Sequence, residues 1–153
     1  MTLTSRLDAI GLHYIAVSRQ FKPGFYHDDN YGHKPTGDVL IHLEEVPDRA
    51  KIRKLGETYL KNATSLVKKL TRRSGVFICA SVGIFYEDQW RAPFKVDDVV
   101  KPIDTYGRVK VLNEMLTIDS GGTVLRLSNL FGTGMNHNNV ISDIVSNFRF
   151  LGH

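Results

Sequence analysis

The chain has 153 residues, 42% hydrophobic and 24% charged, which is ordinary for a globular protein and enough for one domain with a real core. A net charge of +4 and a pI near 9.2 suit an anionic ligand such as a nucleotide, fall short of a nucleic-acid-binding tail, and fit a solvated surface equally well. The one cysteine, Cys79, rules out an intrachain disulfide framework, no apolar run nears the roughly 20 residues of a membrane span, and the N-terminus has no signal-peptide core; the expectation is a soluble, cytoplasmic protein without nucleic-acid or membrane partners.

Leu3, Leu7 and Ile10 stand at helical spacing, so Thr2 to Ile10 is expected to be an amphipathic helix stopped by Gly11. His13 to Ser18 is a strand-like run. Helix, glycine and apolar strand form the rhythm of an α/β domain. Arg19 follows that strand. In a dinucleotide fold the residue at the end of the second strand meets the adenosine ribose, and an arginine there accommodates a 2′-phosphate. Arg19 therefore favours NADP slightly over NAD, although an exposed arginine explains it as well. Residues 20–37 are rich in turn formers and read as loop. His27, Asp28, Asp29 and His33 lie there, but their spacing fits no zinc pattern and no metal is expected.

Asp38 to Leu43 is a near-continuous apolar run, the mark of a strand in a parallel sheet. Residues 44–48 turn the chain. A helix is expected from about Ala50 to Arg73, with Ile52, Leu55, Tyr59, Ala63, Leu66, Val67 and Leu70 inward. Lys68, Lys69, Arg72 and Arg73 at its end suit the helix dipole and a solvated face. Gly75 to Ala80 is a third strand, followed at once by Ser81. Open α/β sheets bind ligands at the carboxyl ends of their strands, so this hydroxyl is well placed. Val82 to Pro102 is a long connection containing Trp90. Asp104 or Thr105 caps the next helix, Tyr106 to Ile118, which buries Val109, Leu112 and Leu116 before Gly121 and Gly122 end it. Thr123 to Leu127 is a fourth strand; Ser128, Asn129, Gly132 and Gly134 form its carboxyl-end loop. Asn138 or Asn139 caps a last helix, Val140 to Phe148. There is no internal repeat, low-complexity segment or linker.

Tyr106 and Lys110 are four apart, so a helix puts them on one face about a turn from each other. An ammonium beside a phenol favours the phenolate, and a tyrosine tuned in that way exchanges protons with an alcohol or carbonyl. Alone, the pair also fits a surface lysine beside a helix-start tyrosine. Ser81 and Asn129, each at the carboxyl end of a strand flanking that helix, are its expected neighbours.

Several segments together resemble the extended short-chain dehydrogenase/reductase family, the NAD(P)-dependent epimerases and dehydratases of sugar nucleotides. Val76-Phe-Ile-Cys-Ala-Ser-Val-Gly-Ile-Phe85 is similar to the strand that carries the family's catalytic Ser or Thr, and Tyr106-Gly-Arg-Val-Lys110 to its Tyr-x-x-x-Lys motif, 25 residues on. Leu125-Arg-Leu-Ser-Asn-Leu-Phe-Gly-Thr-Gly134 is similar to Leu-Arg-x-x-Asn-x-Tyr-Gly-x-Gly, Asp38 to Leu43 to the family's Asp-Val strand ending in His-Leu, and Asn62-Ala-Thr-Ser to the asparagine segment of the following helix. The likeness runs from about Asp38 to Met135.

The resemblance implies a Rossmann-like parallel sheet flanked by helices, incomplete for want of the first strand and its glycine-rich loop. Residues 1–134 would be a partial NAD(P)-binding domain and 135–153 the opening of the substrate-binding region. Tyr106 would be the general acid/base, Lys110 its tuning residue and a ligand of the nicotinamide ribose, and Ser81 a hydrogen-bond partner of the substrate oxygen. Leu43, Asn62 and Ala80 would line the cofactor with Arg19; Val82 and Asn129 would meet the nucleotide-sugar substrate. A homodimer through the Tyr106 helix is a family habit. The Tyr-Gly-Arg-Val-Lys form of the motif, Asn62-Ala-Thr-Ser and the short 20–37 loop lean toward the 4-keto-sugar reductase branch. The departures are specific as well. The Gly-x-x-Gly-x-x-Gly fingerprint that admits the pyrophosphate is absent, Glu44 and Glu45 replace small residues, and Phe85 and Tyr86 stand where Tyr-Gly is usual. A partial or truncated copy is therefore expected. Two functions stay open: an enzyme of this family, or a non-catalytic relative that binds a nucleotide sugar or a protein.

Overall fold

The computed structural model describes residues 2–29, 31, 36–43, 49–82, 95–127 and 144. The chain divides into two compact units, Met1–Tyr14 with Asn129–His153, and Ile15–Ser128. In the first unit lies helix α1, Leu3–Ala9. Thr2 is its N-cap in a reciprocal box: Ser5 N donates to Thr2 Oγ1 at 3.1 Å, and Thr2 N donates to Ser5 Oγ at 2.9 Å. Gly11, at φ +67°, takes the left-handed turn that ends it. The expected last helix, Val140 to Phe148, lies outside the described residues, Ile144 excepted.

The second unit is built on a three-stranded parallel sheet of β3 (Gly37–His42), β4 (Ser74–Val82) and β5 (Thr123–Leu127), in that order. Helices α2 (Arg49–Leu70) and α3 (Thr105–Asp119) make the two crossovers, as parallel pairing requires. The register pairs Leu40 with Phe77, His42 with Cys79 and Ser81 with Arg126 on one face. There the core forms: Val67 and Leu70 of α2 meet Phe77 and Cys79 of β4, with Leu40, Leu66 and Leu116 packed around them. On the opposite face Val39, Ile41, Val76 and Leu125 are exposed.

Four expectations need correction. The strand read over His13 to Ser18 shortens to β1, Val17–Ser18, and pairs with β2, Tyr26–His27, inside the segment read as loop. Ala16 O accepts from Tyr26 N at 2.8 Å and Ser18 O from Asp28 N at 3.1 Å, so only these two residues have a ladder to join. The helix over 50–73 is α2, ending at Leu70, and it is kinked at Gly56, whose φ of 49° and ψ of −127° are non-helical. The kink breaks the helical period, and Leu55, expected inward, is 43% exposed. Ser81 lies inside β4 rather than after it, because the ladder to β5 runs on through Ser81 and Val82. Leu112 and Leu116 are half-buried rather than buried.

Candidate active site

The site sits where the first turn of α3 meets the carboxyl end of β4. Asp104 caps α3: its Oδ1 accepts from Gly107 N at 2.7 Å, so the helix begins one residue before Tyr106. Gly107 is the third residue after the cap, in a tight place: a Cβ there would lie 3.1 Å from Pro102 Cβ and 3.2 Å from Asp104 Oδ1. The cap thus sets the azimuth of Tyr106 and Lys110. Lys110 is 5% exposed, and its Nζ donates to Ala80 O at 3.2 Å while lying 5.8 Å from the Tyr106 ring centroid. An ammonium that close to a ring face is held by the ring quadrupole as well as by the carbonyl. Ala80 immediately precedes Ser81. Ser81 is 2% exposed, and its Oγ is buried without a hydrogen-bond partner among the described residues. Buried hydroxyls are nearly always paired, and Ser81 Oγ keeps both donor and acceptor capacity for a polar atom.

Below this turn α3 continues polar and buried through Asn113, Glu114 and Thr117. Glu114 is 3% exposed and is gripped by Arg126 of β5: Nε stands 3.1 Å from each carboxylate oxygen and Nη2 stands 2.6 Å from Oε2. Arg126 Nη1 donates to Val96 O at 2.8 Å. This pair was not singled out from sequence. Its signal was there, in a glutamate one helical turn past Lys110 and an arginine inside an apolar strand.

Lys110 thereby joins the Tyr106 ring to the backbone of Ala80, the residue before Ser81, and Val82, half-buried, ends the same strand. Leu43 follows β3 and is 55% exposed. Asn62 is exposed on α2. Arg19 follows β1, with its guanidinium 5.8 Å from the Tyr31 ring centroid and its carbonyl 3.0 Å from His27 Nε2. His27 Nε2 is also 3.0 Å from Asp29 Oδ1. Among the described residues no group of three or more His, Cys, Asp or Glu is placed to hold a metal. Asn129, Glu44, Glu45, Phe85 and Tyr86 lie outside the described residues.

No family model and no curated protein sequence matches the chain. Solved structures do. An NAD-dependent NDP-hexosamine 5,6-dehydratase, TunA, involved in tunicamycin biosynthesis, superposes with a TM-score of 0.77 at 16% identity over 94% of this chain and 55% of its own. MoeE5 in complex with UDP-glucose and NAD gives 0.74 at 20% identity, over 94% and 55%. The UDP-N-acetylglucosamine 4-epimerase from Bacillus cereus gives 0.72 at 17% identity, over 94% and 59%. The chain has the Rossmann-like fold of these sugar-nucleotide epimerases and dehydratases. It spans little more than half the length of each. Within that fold β3, β4 and β5 form a partial parallel sheet, and Ser81 and Lys110 occupy the carboxyl end of its middle strand, where open α/β sheets bind ligands. No described helix is long and apolar enough to cross a membrane.

The residues present suit the nicotinamide end of a dinucleotide. The Lys110 ammonium at the Tyr106 ring and the buried Ser81 hydroxyl beside Ala80 are hydrogen-bond donors of the kind a ribose hydroxyl or a carbonyl oxygen accepts.

Proposed function

We propose that this chain bears the proton-transfer half of an NAD(P)-dependent sugar-nucleotide epimerase, dehydratase or reductase. The observation that supports the reading is the contact of buried Lys110 with both the Tyr106 ring and Ala80 O, one residue before the buried hydroxyl of Ser81. Tyr106 would give a proton to, or take one from, the sugar hydroxyl or keto oxygen. Ser81 Oγ would donate to that same oxygen and stabilise the charge that develops on it. Lys110 would bring positive charge to the phenol and hydrogen-bond the nicotinamide ribose. A bound nicotinamide would supply or accept the hydride at the sugar carbon. The substrate class is supported by the UDP-glucose and NAD of the MoeE5 complex and by the NAD-dependent dehydratase chemistry of TunA. Leu43, Asn62 and Ala80 are proposed along the cofactor, Val82 and Asn129 along the sugar nucleotide, and Arg19 near a 2′-phosphate, which would favour NADP.

The test has two arms. Titration with NADH and NADPH should enhance cofactor fluorescence or quench Trp90, with NADPH the tighter. Absence of binding for both at millimolar concentration would sink the enzyme reading and leave the non-catalytic relative. Where turnover is found, Tyr106→Phe should lower kcat by about 10²–10⁴-fold and leave cofactor affinity nearly unchanged. Activity that survives the substitution would refute the assigned mechanism.

A further inference from the structure

Lys110 and Glu114 are both buried on α3, at 5% and 3% exposure, and stand four residues apart. Side chains at that spacing reach each other. Lysine before glutamate is the weaker order on an exposed helix, but burial strengthens any such attraction. In the structure, however, Lys110 points the other way, to Ala80 O and the Tyr106 ring. Glu114 is occupied from the other side. Arg126 lays its Nε and Nη2 on both carboxylate oxygens, and its Nη1 is anchored on Val96 O. The strand that supplies Arg126 is the one paired with β4, and Arg126 is the register partner of Ser81. A planar guanidinium fork satisfies a buried carboxylate as a single ammonium does not.

We infer that Arg126 is a positioning residue: by holding Glu114 it keeps Lys110 turned up toward Tyr106 and Ala80 instead of down its own helix. Without Arg126 a buried carboxylate would be left uncompensated. Lys110 is the cation on the adjacent turn of the same helix. Turning to Glu114 would take the ammonium from the phenol and from the strand end at once. Among the described residues, Tyr106 stands at the Lys110 ammonium, Glu114 lies one turn further along α3, and Arg126 of β5 is seated on Glu114. Glu57 of α2 is held at the surface by Arg108 at 2.8 Å.

The catalytic meaning of this device rests on the proton-transfer reading of Tyr106; its test needs no turnover. Tyrosines labelled with ¹³C at Cζ would be titrated by NMR, the Tyr106 signal being the one lost in Tyr106→Phe. In Arg126→Met the Tyr106 midpoint should rise by about one pH unit or more, the effect of withdrawing a neighbouring cation. In Glu114→Gln/Arg126→Met, where the competing carboxylate is gone, it should return to the value of the unsubstituted chain. A purely structural pair would lower the melting temperature and leave the midpoint in place, and that result overturns the inference; so does a double variant that stays shifted. Should Arg126→Met not fold, Arg126→Lys keeps the charge and loses the fork. It should raise the midpoint by a smaller amount, again reversed by Glu114→Gln, and no movement would count against the inference. A shifted midpoint in a chain that binds no cofactor would refute the enzyme reading while upholding the role of Arg126.

Discussion

Ser81 is the residue at which stability and function pull apart. Burying a hydroxyl without a partner costs about 1–3 kcal/mol, and its Oγ has none among the described residues. Ser81→Ala should therefore leave the melting temperature unchanged or raise it, by about 2–4 °C for each kcal/mol recovered. A drop of several degrees in thermal unfolding would show that the hydroxyl is satisfied in the protein and would remove the main support for a substrate oxygen there. The same substitution should lower any turnover. Of the candidate residues, Tyr106 and Lys110 stood out by their spacing and Ser81 by its nearness to a strand end, and the resemblance to a family pattern joined them into one set. Glu114 and Arg126 were not, because neither residue type says whether a charge will be buried. Only the approach of β5 to α3 makes them a pair.

At the scale of elements the informative case is α2. Its apolar positions match a helical period, and Ile52, Val67 and Leu70 are buried as that period predicts. Gly56 interrupts it. Glycine in a regular helix costs about 1 kcal/mol relative to alanine, so a straight α2 would be stabilised by Gly56→Ala. At φ 49° and ψ −127° the same substitution has open space around it but a backbone that L-residues avoid. Strain of that kind is of order 1–3 kcal/mol. Gly56→Ala should accordingly lower the urea midpoint; a rise would mean that α2 is continuous. The end of α3 poses a different constraint. A Cβ on Gly122 would stand 2.7 Å from Phe77 O, so the close approach of that turn to β4 admits only glycine. Periodicity identified the helices and the three sheet strands. It overran β1 and missed β2, whose two-residue ladder is too short to leave a pattern.

Within the second unit, the described residues build a core on one face of the sheet. Parallel sheets are normally covered on both faces. In this unit α2 and α3 pack on one face, and on the other Val39 is 52%, Ile41 42%, Val76 47% and Leu125 44% exposed. Contiguous apolar surface of that sort binds hydrophobic dyes and partners. The chain should enhance the fluorescence of an anilinonaphthalene dye. Ile41→Lys with Val76→Lys should reduce that signal with little loss of stability, since neither side chain joins the core. Equal dye binding by the double variant would place the apolar surface elsewhere. The sequence by itself determined the parallel α/β class, the place of the three sheet strands, and the Tyr106–Lys110 spacing with Ser81 upstream, because these depend on periodicity and local order along the chain. Tertiary structure alone decided that Lys110 leans on Ala80, that Arg126 closes on Glu114 and reaches Val96, and that Val39, Ile41, Val76 and Leu125 stay exposed. Those contacts join residues a dozen to thirty positions apart, and they exist only once burial has made an unpaired charge too costly to leave.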